Sequence, residues 1–193
     1  MKLILFCLLG FVVSFFPMAQ AEGLDGVFYN GKWGMNCWET EESSDIHLDV
    51  NVFLLEKLGT KLILSNWFSE SESPKESMFK GTKVEEGYLF ISTSNSELFK
   101  QIEFLASLSC AADSCELKIT NMKNEGPDKW TPFERVKRGG AYTPIKFSKK
   151  GITYDIGACY EREPKESEAA YKKRLQRFCP LEYKGRKVPC LAQ

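Results

Sequence analysis

Along the first two thirds of the chain, large apolar side chains recur at every second position. Val27, Tyr29, Trp33, Met35 and Cys37, with Gly31 in step, fall on one face of an extended strand. Ile46, Leu48, Val50 and Val52 repeat the pattern, alternating with Asp45, His47, Asp49 and Asn51. Segments 61–68, 78–84, 88–92, 97–110, 115–122 and 129–138 also read as strands, separated by stretches rich in Ser, Gly, Asn and Asp. The pattern predicts a mainly β fold of about eight strands, each beside its sequence neighbour, as an antiparallel meander closed into a barrel or folded into a sandwich. The serine-rich acidic stretch 69–77 reads as a loop between two of these strands.

The period changes in the last quarter. Residues 145–156 predict a β-hairpin turning at Lys149-Lys150-Gly151, and a helix is expected to follow. Pro164 suits a first helical position, Glu166 and Glu168 complement the helix N-terminus, and Lys172, Lys173, Arg174 and Arg177 complement its end before Pro180. Tyr171, Leu175 and Phe178, at i, i+4 and i+7, form one apolar stripe that should dock the helix on the β body.

Charge separates the same two regions. Residues 22–136 hold 20 acids against 11 bases, and residues 137–193 hold 6 acids against 14 bases, so a net charge of zero conceals two opposite poles. Gly139-Gly140 marks the changeover, which divides the chain into a barrel-like domain over 22–138 and a basic extension over 139–193. Lys172, Lys173, Arg174, Arg177, Lys184, Arg186 and Lys187 are expected to form an outward basic surface able to meet an anionic partner.

The first 21 residues read as a signal peptide: Lys2, then an apolar run to Pro17, then Ala19-Gln20-Ala21 as the cleavage pattern. That run is too short to span a bilayer, and no later stretch is longer, so the mature chain is expected to be exported, periplasmic or extracellular, and not membrane-spanning. Past the leader stand Cys37, Cys110, Cys115, Cys159, Cys179 and Cys190, an even set that reads as up to three disulfides in an oxidising compartment. Cys110 and Cys115 flank a four-residue turn and are expected to bridge; the other pairings stay open.

Little in the chain points to catalysis. Gly26 to Lys32 has most of a phosphate-binding loop, but Trp33 stands where the magnesium-binding hydroxyl belongs. His47 is the single histidine, so a histidine-dependent nucleophile has one possible base. Asp45, His47 and Asp49 could ligate a divalent metal from one strand face, yet a solvated polar face is the expected role. No cofactor, no metal, no nucleic-acid partner and no enzymatic activity are expected.

Asn30-Gly31-Lys32-Trp33 on the first strand resembles the G-x-W signature of lipocalins and their calycin relatives. The resemblance implies an eight-stranded barrel followed by a helix, with an arginine, here Arg135 or Arg138, packed over the tryptophan. It further implies a small apolar or amphipathic ligand in the barrel mouth, lined by Tyr29, Trp33, Val50, Phe90 and Phe104. The expected function is therefore a non-enzymatic binding or interaction protein of the cell envelope or secreted space. The alternative is an inhibitor or immunity-type protein that blocks a partner protein.

Overall fold

In the computed structural model, residues 24–39, 44–69, 75–93, 102–123, 133, 137–155, 159–177, 179 and 182–192 are described, without the side chains of 36–39, 44–48, 75, 176, 186 and 192. Seven strands follow one another as a meander: β1 (Val27–Glu39), β2 (Ser44–Leu58), β3 (Lys61–Ser69), β4 (Lys75–Val84), β5 (Gly87–Ser92), β6 (Glu103–Cys110) and β7 (Ser114–Lys123). Each is antiparallel to the next. Two-residue β8 (Lys137–Arg138) and β9 (Ala141–Tyr142) form a small hairpin, and β10 (Ile145–Ser148) then pairs with both β7 and β1. The eight strands β1–β7 and β10 thus close into an antiparallel barrel, settling the choice between barrel and sandwich.

The closing strand lies beyond Gly139-Gly140, in the segment expected to be an appended hairpin. The barrel is therefore not contained within 22–138, and the joint falls inside it. Of the strand expected over 129–138, Phe133 and Lys137–Arg138 are described; Phe133 stands at a turn, and Lys137–Arg138 pairs with β9 instead of joining the barrel. β10 pairs with its barrel neighbours rather than with β11 (Ile152–Asp155), which runs parallel to β1 with Trp33 opposite Tyr154. The stretch expected as a loop is also shorter, because β4 already begins at Lys75.

The tail continues with α1 (Glu168–Gln176), a hairpin of β12 (Glu182–Tyr183) and β13 (Arg186–Lys187), and β14 (Cys190–Ala192), which adds in parallel to β11. α1 starts later than Pro164 implies. Ser167 is its N-cap, accepting a hydrogen bond from the Ala170 amide at 3.2 Å, which satisfies one of the free N–H groups of the first turn. Glu166 thus precedes the helix, where it meets Arg174 at 2.8 Å instead of the helix terminus alone. Lys184 and Gly185 both have positive φ, at 49° and 72°, the conformation that a two-residue hairpin turn requires.

Strand alternation sorts the apolar residues into two cores. Phe28, Phe53, Leu55, Leu62, Leu64, Phe79, Phe90, Phe104, Leu117 and Phe147 fill the barrel interior. Trp33, Val50, Val52, Leu54 and Trp67 lie on the outer face, where Ile152, Tyr154, Leu175, Cys179, Tyr183 and Val188 cover them. The covering residues come from β11 and the tail, and α1 docks on the β body through Leu175, 1% exposed, and the partly buried Tyr171; Phe178, the third residue of the expected stripe, lies outside the described residues.

Candidate functional site

The two cores divide the residues expected to line a ligand mouth. Phe90 and Phe104 are inside the barrel, stacked at 4.9 Å between ring centroids. Tyr29, Trp33 and Val50 belong to the outer layer beneath the tail. The structure does not bring these five residues to one site. Alternation explains the split: odd-numbered β1 residues and even-numbered β2 residues both face outward here.

The barrel centre is filled by aromatic rings. Phe133, fully buried, enters from the segment after β7 and lies 4.7 Å from Phe104, 5.3 Å from Phe79 and 6.1 Å from Phe53. These separations suit offset and edge contacts between rings in a packed interior. An eight-stranded barrel is just wide enough to be filled by side chains in this way. Phe133 lies in the segment expected as a strand over 129–138, but it stands at a turn, and strand periodicity gave no sign that it would fill the barrel.

Gly31 and Trp33 have local roles at the point where the sheet branches. Gly31 has φ +116°, and a Cβ there would come within 1.9 Å of the Asn51 carbonyl oxygen. A glycine is required for β1 to lie this close to β2. On either side of the branch, the Asn30 amide donates to the Lys146 carbonyl at 2.6 Å, and the Thr153 hydroxyl donates to the Gly31 carbonyl at 3.0 Å. β10 and β11 are thereby fixed to successive parts of β1. Trp33 is 3% exposed under the tail, with no hydrogen-bond partner for Nε1. Arg138 is exposed in the β8–β9 hairpin, and Arg135 lies outside the described residues. Among the described residues, cations over rings sit on Tyr88, Tyr142, Phe28, Tyr171 and Tyr183.

The basic residues of the tail are partly neutralised where they stand. Arg174 holds Glu166 at 2.8 Å and lowers its carboxyl pKa, first through that hydrogen bond. Lys172 reaches Glu168 at 3.5 Å, and Lys184 is bound to Glu56 of β2. Lys173, Arg177 and Lys187 are exposed, and the Arg186 side chain is outside the described residues. Sequence reasoning missed the clamp around Glu56. Tyr183 donates its hydroxyl to Glu56 at 3.0 Å and meets Trp67 edge-on at 5.9 Å. Burial, then the Glu56 bond, pushes the Tyr183 pKa up, while the Glu56 bond raises that of Lys184. The signal available was the Lys184-Gly185 pair, a short hairpin turn between Tyr183 and Arg186.

Two bridges are in place, Cys110–Cys115 across the β6–β7 turn and Cys179–Cys190 from the end of α1 to β14. Cys159 is also disulfide-bonded. Asp49 approaches Lys32 at 3.7 Å, both about half exposed, whereas the side chains of Asp45 and His47 lie outside the described residues. Among the described residues, no cluster of His, Cys, Asp and Glu could hold a metal ion, and no helix is long and apolar enough to cross a membrane. Residues 1–21, expected to be a signal peptide, also lie outside the described residues; the disulfides fit an oxidising, exported location. No protein-family model, curated protein or solved structure matches the chain.

Proposed function

We propose that this chain is an exported, non-enzymatic binding or interaction protein that meets its partner on the outside of its barrel. The observation that carries this reading is Phe133, seated at 0% exposure among Phe53, Phe79 and Phe104. A small apolar guest in the barrel would have to displace it. The closed eight-stranded barrel and following helix support a lipocalin-like architecture, but Trp33 under the tail and the filled interior argue for a different use of it. The test is titration with a fluorescent fatty acid. The outside reading expects no stoichiometric uptake; a one-to-one complex abolished by Phe104→Trp would overturn it and restore the ligand mouth.

A blocking function remains the second reading, supported by the tip of the β6–β7 hairpin. Ala111, Ala112, Asp113 and Ser114 are exposed above the Cys110–Cys115 bridge. The Ala111 amide donates to Ser114 O at 2.8 Å, and the Lys149 amide donates to Asp113 O at 3.1 Å. A cleft of about 340 Å³ opens beside this tip, lined in part by Glu116 and Lys146. Such a braced projection can enter a partner's groove at little entropic cost. If it does, Asp113→Arg should abolish a complex that Lys187→Glu leaves intact.

A further inference from the structure

The two placed bridges sit in opposite settings. Cys179–Cys190 joins residues 11 positions apart, and both cysteines belong to the layer beneath the tail, with Cys179 8% exposed. Cys110–Cys115 joins residues 5 positions apart at the tip of the β6–β7 hairpin. Cys115 is 2% exposed, in the barrel core opposite Phe147, whereas Cys110 is half-buried at the edge of that core. Ala111, Ala112, Asp113 and Ser114 between them are exposed, and their short side chains leave the approach to Cys110 open. Both cysteines line the cleft of about 340 Å³ beside the tip.

The Cys110–Cys115 bond also adds little to what already holds the hairpin. The two residues are direct partners in a ladder that continues through Ser109 with Glu116 and Leu108 with Leu117. The Ala111 amide closes the turn on Ser114 O, the Lys149 amide holds Asp113 O, and β10 pairs along the other edge of β7 as far as Ser114. A bond across so short a loop constrains the unfolded chain less than one across a long loop. The bridge can therefore open while the strands stay paired. Opening Cys179–Cys190 would instead release the segment that covers the outer layer.

We propose that Cys110–Cys115 is a reversible thiol–disulfide exchange site, reached through this cleft by a small-molecule thiol of the glutathione class. Exposed disulfides are the labile ones, whereas buried structural bridges resist the glutathione pool. The attacking thiolate bonds to Cys110 Sγ, on the more exposed cysteine. The Cys110–Cys115 bond breaks, and Cys115 leaves as a thiolate that takes a proton from water. A second small thiol then attacks the mixed disulfide and releases Cys110 as a thiol, so the two small thiols leave oxidised to their disulfide and the protein keeps a reduced pair. In the return direction Cys115, held opposite Cys110 by the ladder, attacks the mixed disulfide and restores the bridge. The exposed cysteine exchanges and the buried one resolves. This site stands independently of which surface meets the partner.

Incubation of the mature, oxidised protein with glutathione under native conditions, followed by alkylation and peptide mapping, tests the proposal. Cys110 and Cys115 are expected to be labelled before Cys179 and Cys190, with the barrel's circular dichroism retained, and oxidised glutathione should restore the bridge. In Cys115→Ser, Cys110 is expected to carry one glutathione. That adduct should be lost in Cys110→Ser, whose remaining thiol is buried. Labelling of Cys179 and Cys190 first or at the same rate, or labelling of Cys110 and Cys115 only as the circular dichroism disappears, would overturn the proposal. Equal adducts on the two variants at unaltered melting temperature would do the same.

Discussion

The barrel interior and the layer beneath the tail bury similar residues by different means. Inside, successive strands of the meander supply most of the facing pairs: Leu55 faces Leu64, Leu64 faces Phe79, and Phe90 faces Phe104, with Phe133 added at the centre. Outside, Trp33, Val52 and Trp67 are covered by residues from the far end of the chain, such as Tyr154 and Leu175, with the Cys179–Cys190 bridge closing the covering segment. The interior is filled by apolar side chains, with aromatic rings at its centre. The outer layer adds polar fastenings, namely Tyr183 and Lys184 on Glu56, and leaves Trp33 Nε1 unpartnered. A meander core forms as one unit, whereas a covering segment can lift from it, so disruption inside should be global and disruption outside local.

The largest expected effect is therefore at the barrel centre. Phe104→Ala removes a ring packed against Phe79, Phe90 and Phe133 and should cost about 3 to 5 kcal/mol, with fluorescence and circular dichroism melting together. Gly31→Ala strikes the branch that serves both regions. Its loss of at least about 2 kcal/mol should appear in denaturant unfolding as a shifted midpoint with an unchanged slope.

Raising pH should loosen the outer layer first. The pKa values of Tyr183 and Lys184 are raised by folding, so their contribution is complete below the unfolded values near 10 and is lost as pH climbs through the folded ones. Tyr154, pushed up to about 12 by burial and then by Tyr160, adds to the same loss between about pH 10 and 12. Trp67 fluorescence, reporting its contact with Tyr183, should change across that range before the barrel's circular dichroism does. Removing the Tyr183 hydroxyl alone, in Tyr183→Phe, should cost about 1 kcal/mol. At the bottom of the scale, Lys173→Glu/Arg177→Glu should leave the melting temperature nearly unaltered, since both side chains are exposed and pairs at such sites contribute about 0 to 1 kcal/mol.

How much of this was legible follows from the range of the interactions. Period-two alternation exposed the meander because each strand's inward face is set by its own residues, and the Cys110–Cys115 bridge because both cysteines end adjoining strands. The closing strand was hidden. Ile145–Ser148 has the same local pattern whether it pairs with its successor or closes the barrel, and its partners are β7, about 30 positions back, and β1, where Asn30 meets Lys146 across 116 positions. Tyr29, Trp33 and Val50 read as one apolar face correctly, but alternation cannot say whether a face looks into a barrel or out beneath a tail. Glu56 gave no sign of its clamp, because its partners arrive from the far end of the chain. Pairing of the cysteines beyond Cys110–Cys115 was likewise open; the structure adds Cys179–Cys190 and shows Cys159 bonded.

The contrast between a sealed interior and a fastened outer layer is tested most directly by native-state hydrogen exchange on Leu175→Ala. Leu175 is 1% exposed and contacts the outer layer, away from the barrel interior. Faster exchange of amides in β11, β14 and residues 182–187, with those of β3 to β7 unchanged, is the predicted result. Equal acceleration across β3 to β7 would show a single cooperative core and contradict the account.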